Sequence, residues 1–415
     1  MNTALDSQDY LNINRFKKQL LIVCIIILVM TILRGLRFPN IWSYSHMFFD
    51  YEFGFMRRGL IGAILSLIDK PMLYTYASHF YLSLIILLSN VVFLSLTFRD
   101  FIRSNNLNLT ACAFIFASSS GIIFLAHNIG YADHIGLLLC LISFRLKSFK
   151  NKLLFIAPSL TLALMIHEAI FVIFFPILFI SLTLSLDSQK NIKQIAVLAV
   201  FSLYAIFLFF FIGNSSISLE QAQAILLKAQ GLSDSPLRED AFMLLKQSST
   251  ETILMMSEKW SHPARIAFLF ISGLTIFPIA IYIQINMISL LQKSQRSKVF
   301  IYLCVAGGLS PLLLHTVAWD TMRWNTLYII TAYLMCYTVL KQLSSEEAEK
   351  CSQAFFMRRS LPLLLLMVFL NANAQVLLMD NRRVENFPFP FHISYISDVI
   401  QGNTYFPEIP EPSKP

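Results

Sequence analysis

The stretch Ser45–Leu60 holds His46, Asp50, Glu52, Arg57 and Arg58 among aromatics and glycines, a mixture foreign to a lipid-facing helix and to an ordinary linker. Asp50 and Glu52, two apart, project to the same side of an extended backbone. Arg57 and Arg58 bring fixed positive charge suited to a phosphate. Together they can take a proton from a hydroxyl and steady an anionic leaving group. We therefore expect a catalytic loop here; the plainer alternative is a salt-bridged interfacial loop, which contributes little when exposed.

Three other places hold candidate groups. His167-Glu168 interrupts a long apolar run, and burying either without a partner is expensive, so a catalytic role is expected for at least one. A zinc-protease helix would need a second His four residues on, and Phe171 stands there. Asp133-His134, where helix capping is the alternative, and His315, Asp320 and Arg323 join His46, Arg57 and Arg58 as expected substrate contacts. Trp319 and Trp324 read as membrane-interface residues.

These groups must be positioned by membrane helices. Hydrophobic residues make up 56% of the chain and charged ones 13%, far from the balance of a soluble domain. Repeated apolar runs of roughly 18 or more residues predict an all-α polytopic membrane protein. The net charge of +8 lies mainly in short links between those runs, which is a topology signal and no sign of nucleic acid. The six cysteines show neither a disulfide framework nor metal-ligand spacing.

Residues 1–18 form a basic, cytoplasmic N-terminus, and the transmembrane domain runs over 19–379. Its first span, at 19–36, leads into an outer loop, 37–73, in which 59–70 is too short to cross and predicts a re-entrant or interfacial helix. Spans follow at 74–98 and 109–127, and then one that returns to Arg145. The run 153–186 predicts two short spans with a tight outer turn near His167. After a span at 194–213, residues 214–262 form a large outer loop with helices expected at 221–228 and 241–246. Further spans at 263–291 and 299–318, one reaching 341 and one at 360–379 precede an outer tail, 380–415. The total is about eleven spans, N-terminus inside and C-terminus outside.

That orientation puts His46, His127, His134, His167, His262, His315 and His392 at or beyond the outer helix ends. It also places Arg34, Arg37, Arg57, Arg58, Arg323, Arg382 and Arg383 outside, against the positive-inside tendency. An anionic substrate is the reason we expect for them.

With Asp50-Tyr51-Glu52 in the first outer loop and a short helix after it, the chain resembles the GT-C superfamily of integral membrane glycosyltransferases, which carry an acidic DxD/DxE motif there. The resemblance implies that Asp50 is the base or a metal-linked carboxylate with Glu52 its partner, that a metal, if one takes part, is Mg2+ or Mn2+, and that Asp133 is a second acidic outer position. It further implies a bacterial inner-membrane enzyme of surface-polysaccharide (O-antigen type) assembly, its site facing the periplasm. The donor would be a polyprenyl-phosphate-linked sugar, the acceptor a glycan or lipid-linked acceptor, with membrane lipids around it. Asp50 departs from the pattern by lying about fourteen residues beyond the first span, where many members have it immediately after the helix.

Three other readings stay open. An O-antigen polymerase would join diphosphate-linked repeats, with Arg238 and His262 in its large loop. A transporter or flippase would want inverted repeats and charges along a path, whereas no repeat is evident and the charges gather at one face. A membrane acyltransferase would use a deep histidine such as His167.

Overall fold

The computed structural model describes residues 2–186, 191–260, 262–318, 320–343 and 371. The expected last span, the tail with Arg382, Arg383 and His392, and Trp319 lie outside these residues. Among them the chain is all-helical, with sixteen α-helices.

The first, α1 (Asn2–Gly35), leads into a loop segment with α2 (Ile41–Ser45), a 3-10 turn at His46–Phe48, α3 (Leu60–Ile68) and a 3-10 turn at Pro71–Tyr74. Thr75 caps the next helix by accepting from the Ser78 amide, and α4 (Tyr76–Arg103) returns across the bundle. α5 (Leu107–Ala117) and α6 (Ser120–His127) form one broken span, followed by α7 (Asp133–Ser143), α8 (Phe149–Ile166), α9 (Ala169–Thr183) and α10 (Ile192–Gly213). The second loop segment folds as α11 (Leu219–Leu232), α12 (Glu239–Met243) and α13 (Ser249–Trp260). Then come α14 (Pro263–Lys293), α15 (Lys298–Leu309), a 3-10 stretch at Ser310–Thr316, and α16 (Thr321–Leu340).

Among the described residues seven helices are long and apolar enough to cross a membrane: Asn14–Gly35, Tyr76–Arg103, Leu107–His127, Phe149–Ile166, Ile192–Gly213, Ile276–Lys293 and Lys298–Thr316. These are the helices of a multi-pass membrane protein. α1 and α10 turn Ile22, Val23, Ile26, Leu203, Phe207 and Phe211 outward, as a lipid-facing surface does. Three expected spans fall short of that measure for physical reasons. α7 and α9 are apolar but short. α16 is long enough but carries Arg323, Asn325 and four threonines, and it is buried on every side, so it needs no apolar face for lipid.

The turn expected near His167 is present. α8 stops at Ile166, His167 is extended (φ −164°, ψ 121°) and α9 starts at Ala169. At the far end of this hairpin Lys152 donates to the Ser181 and Ser185 hydroxyls at 2.9 and 2.7 Å, which sets the two helices antiparallel.

Two cores organise the molecule. The larger joins the long helices. The smaller joins the two loop segments at one end, packing Tyr44, Met47, Phe48, Phe49 and Met56 of the first against Ile225, Leu226, Ala229, Phe242 and Leu245 of the second. We call this the loop end. The seven histidines among the described residues lie at or near it.

Gly62 shows how tightly α3 is set against the catalytic stretch. A Cβ there would stand 2.2 Å from the Phe49 carbonyl oxygen and 2.9 Å from that of Met47, and backbone cannot yield as a side chain can. Gly62→Ala should therefore displace the turn that carries Asp50 and destabilise the loop end by about 1–3 kcal/mol. Thermal unfolding of the purified protein in detergent measures this; an unchanged midpoint would show that α3 is free to shift.

Candidate functional site

The acidic motif sits in a turn clasped by α11. Asp50 is 4% exposed and follows the fully buried Phe49. Its Oδ1 accepts the Glu52 amide at 3.1 Å, so the turn fixes the carboxylate's direction. Its Oδ2 accepts from Lys228 Nζ at 2.5 Å, and the same ammonium pairs with Glu52. One face of α11 reaches the turn twice, because residues seven apart align on a helix. Gln221 donates to the Phe53 carbonyl at 2.6 Å, while its own side-chain oxygen completes a capping box with Ser218.

Deeper in, Arg57 and Arg58 meet Glu168 of the hairpin turn. Arg58 grips the carboxylate with two bonds of 3.0 and 2.5 Å, and Arg57 adds a contact of 3.6 Å. Arg57 also donates to the Leu244 carbonyl at 2.5 Å, tying this cluster to the second loop segment. Arg58 holds a left-handed backbone (φ 65°), which costs a non-glycine residue about 1–3 kcal/mol and persists only where the surroundings over-determine it. The same residue makes the two-bond grip on Glu168, a strong charge-assisted contact. Burial alone would raise the Glu168 carboxyl, but Arg58, with Arg57 beside it, keeps it well below the usual carboxylate range.

His167 accepts the Ala169 amide at Nδ1 (3.1 Å), which assigns the ring proton to Nε2. Burial, reinforced by the Arg58 charge, pushes its pKa down to about 3. His46 lies beside it, ring centroids 6.3 Å apart, and is also held neutral by burial and by Arg58. Its Nε2 is buried with no hydrogen-bond partner among the described residues.

A third cluster joins α7 to α16. Arg323 binds both oxygens of Asp133 at 2.8 and 2.9 Å and reaches Asp320 at 3.4 Å. Its guanidinium lies between the rings of Tyr131 and Trp324, 5.0 and 4.6 Å from their centroids. Tyr131 Oη and Trp324 Nε1 are buried without hydrogen-bond partners among the described residues. His134 is buried beside Asp133 at the start of α7. His315 belongs to a separate polar chain, its Nε2 3.0 Å from Asn325 Oδ1, with Asn325 donating to Ser272 at 2.9 Å.

The structure thus brings His46, Asp50, Glu52, Arg57, Arg58, Asp133, His134, His167, Glu168, Asp320 and Arg323 to one end, with His315 at its margin. Glu168 and Asp133 serve chiefly to hold arginines. Three arginines (57, 58 and 323) are matched by three carboxylates (133, 168 and 320), so part of the charge that the sequence assigned to substrate is balanced within the protein. The acidic motif does not fit a divalent cation well. Lys228 already pairs with both carboxylates, and no group of three His, Cys, Asp or Glu side chains among the described residues is placed to hold a metal. Lys228 and Tyr131 escaped the sequence reading; a lysine within an expected outer helix was the available signal for the first. No protein-family model, curated protein or solved structure matches the chain.

Breaking the Asp133–Arg323 pair strands a charge in the interior, which costs about 3–5 kcal/mol. Arg323→Gln should lower thermal stability steeply, and adding Asp133→Asn should recover part of the loss; equal midpoints for all three proteins would mean that the pair is not buried.

The histidine environment sets a pH dependence. An unfolded His takes up a proton below about pH 6.5, whereas folded His167 refuses one until about pH 3. The unfolded chain binds more protons in that window, so stability should fall as pH drops through it. Glu168 adds to the fall below 4.5, because its folded pKa is depressed. Unfolding midpoints on both sides of pH 6.5 test this, and His167→Gln should flatten the slope.

Proposed function

We propose that the chain is a membrane glycosyltransferase that moves a sugar, or a repeat unit, from a polyprenyl-phosphate-linked donor to a glycan or lipid-linked acceptor. One observation carries the reading: buried carboxylates and arginines from four separated segments converge at a single end of a bundle of apolar helices. Ionisable groups are costly at that depth and mark function more often than packing. The donor headgroup would reach them from the membrane, which is where a lipid-linked substrate resides.

In the reaction, Asp50 receives the proton of the acceptor hydroxyl and that oxygen forms a bond to the sugar's anomeric carbon. The bond from that carbon to the donor's phosphate oxygen breaks, its electron pair leaving with the polyprenyl phosphate. In this reading Lys228, Arg57 and Arg58 steady that anion, aided by the low-dielectric surroundings. The sugar would lie towards Tyr131, Trp324 and Asp320, whose donors and acceptor suit hydroxyl groups. In this reading the bundle has about eleven spans, the N-terminus is cytoplasmic, and the loop end faces the periplasm of a bacterial inner membrane. Joining whole diphosphate-linked repeats, as an O-antigen polymerase does, would use the same groups.

Deleting the gene should shorten a surface polymer or remove one sugar from it, and Asp50→Asn should reproduce that profile at normal protein level. Full glycan synthesis by the Asp50→Asn protein would exclude Asp50 as the base. Unchanged glycans on deletion would exclude glycosyl transfer.

A further inference from the structure

We propose that the ammonium of Lys228 takes the place of a divalent cation at the acidic motif and is the group that meets a phosphate on the ligand. This rests on the glycosyltransferase reading for the identity of the ligand, but the site itself follows from geometry.

Lys228 Nζ stands 2.5 Å from Asp50 Oδ2 and also pairs with Glu52, so it occupies the position between the two carboxylates that a bridging ion would need. Asp50 has its other oxygen committed to the Glu52 amide. A hard divalent cation asks for about six oxygen ligands, and two carboxylates, one of them with a side chain 59% exposed, make a poor cage. An ammonium has three donors and no acceptor. Two are used by Asp50 and Glu52, which leaves the third for a ligand.

The lysine is also held in place. Ala222, Ile225, Leu226 and Ala229 of α11 are buried against the first loop segment, and Gln221, two turns away on the same face, fixes the far side of the acidic turn. The side chain remains 29% exposed, open to an incoming anion. Glu52 is the more exposed of its two partners, so a phosphate oxygen can displace Glu52 while Asp50 keeps the ammonium oriented.

The test uses the full-length protein in nanodiscs and two probes, Mn2+ and phosphate. Titration followed by electron paramagnetic resonance should show no Mn2+ bound by the wild type. Bound Mn2+ that Asp50→Asn abolishes would overturn the proposal and leave glycosyl transfer standing. In the second arm, polyprenyl monophosphate or inorganic phosphate should protect Lys228 from an amine-acylating reagent, and whichever protects identifies the source of the anion. Lys228→Ala should weaken phosphate binding about tenfold or more, the loss of one charge-assisted contact, whereas Lys228→Arg should retain most of it. Unfolding midpoints of both variants separate lost binding from lost folding. No protection by either phosphate, or equal binding by Lys228→Ala and the wild type, would overturn the proposal. Unchanged glycans on gene deletion would instead remove the glycosyltransferase reading without touching either arm.

Discussion

A charge taken out of water must be met by another charge, and this requirement shapes the loop end. Opposite unit charges 4 Å apart attract by about 4 kcal/mol at the dielectric typical of protein interiors, and losing one partner costs a similar amount. Arg58 and Glu168, or Arg323 and Asp133, are therefore tied to one another more firmly than any single apolar contact would tie them. Each pair joins segments distant in sequence. The first loop, the turn between α8 and α9, and the starts of α7 and α16 are drawn to one place. The three carboxylates that hold these arginines, Asp133, Glu168 and Asp320, stand at helix starts, where the backbone dipole favours negative charge.

Above this charged layer lies a small apolar one. The first loop could not hold Asp50 still by itself, because a short segment buries too little surface to offset its ordering entropy. Packing it against α11 and α12 supplies the missing surface, and the same docking delivers Lys228 and Gln221 to the acidic turn. Stability and chemistry are thus coupled. A change that loosens the second loop segment alters the electrostatics at Asp50 without touching any of its neighbours in sequence.

Much of the scaffold was legible in the sequence. The apolar run over 153–186 was too long for one crossing, and His167-Glu168 marked its turn; the nine-residue α3 was evident because 59–70 could not cross. Helices within 214–262 were expected at two of their three places, α13 being the one not foreseen. Pairings were much less legible. Residue types show that Arg58 needs a carboxylate, but only the packing of α3 and the hairpin selects Glu168, 110 positions away. Lys228 lay hidden for the same reason, since its partners come from the other loop segment. The span reaching 341 was expected, and α16 occupies it, although its polar character keeps it outside a hydropathy measure because enclosure by other helices removes the need for an apolar surface.

That enclosure bears on biogenesis. A helix that carries Arg323 in its first turn and an asparagine two residues on gains little by entering lipid alone, since ionisable and amide side chains are costly in a bilayer. Its salt-bridge partner, Asp133, is synthesised nearly two hundred residues earlier and sits at the start of a short helix. Neither is a good independent passenger through the insertion machinery. Both become acceptable once they meet, which favours a nascent chain that keeps α7 close to the exit site until α16 arrives.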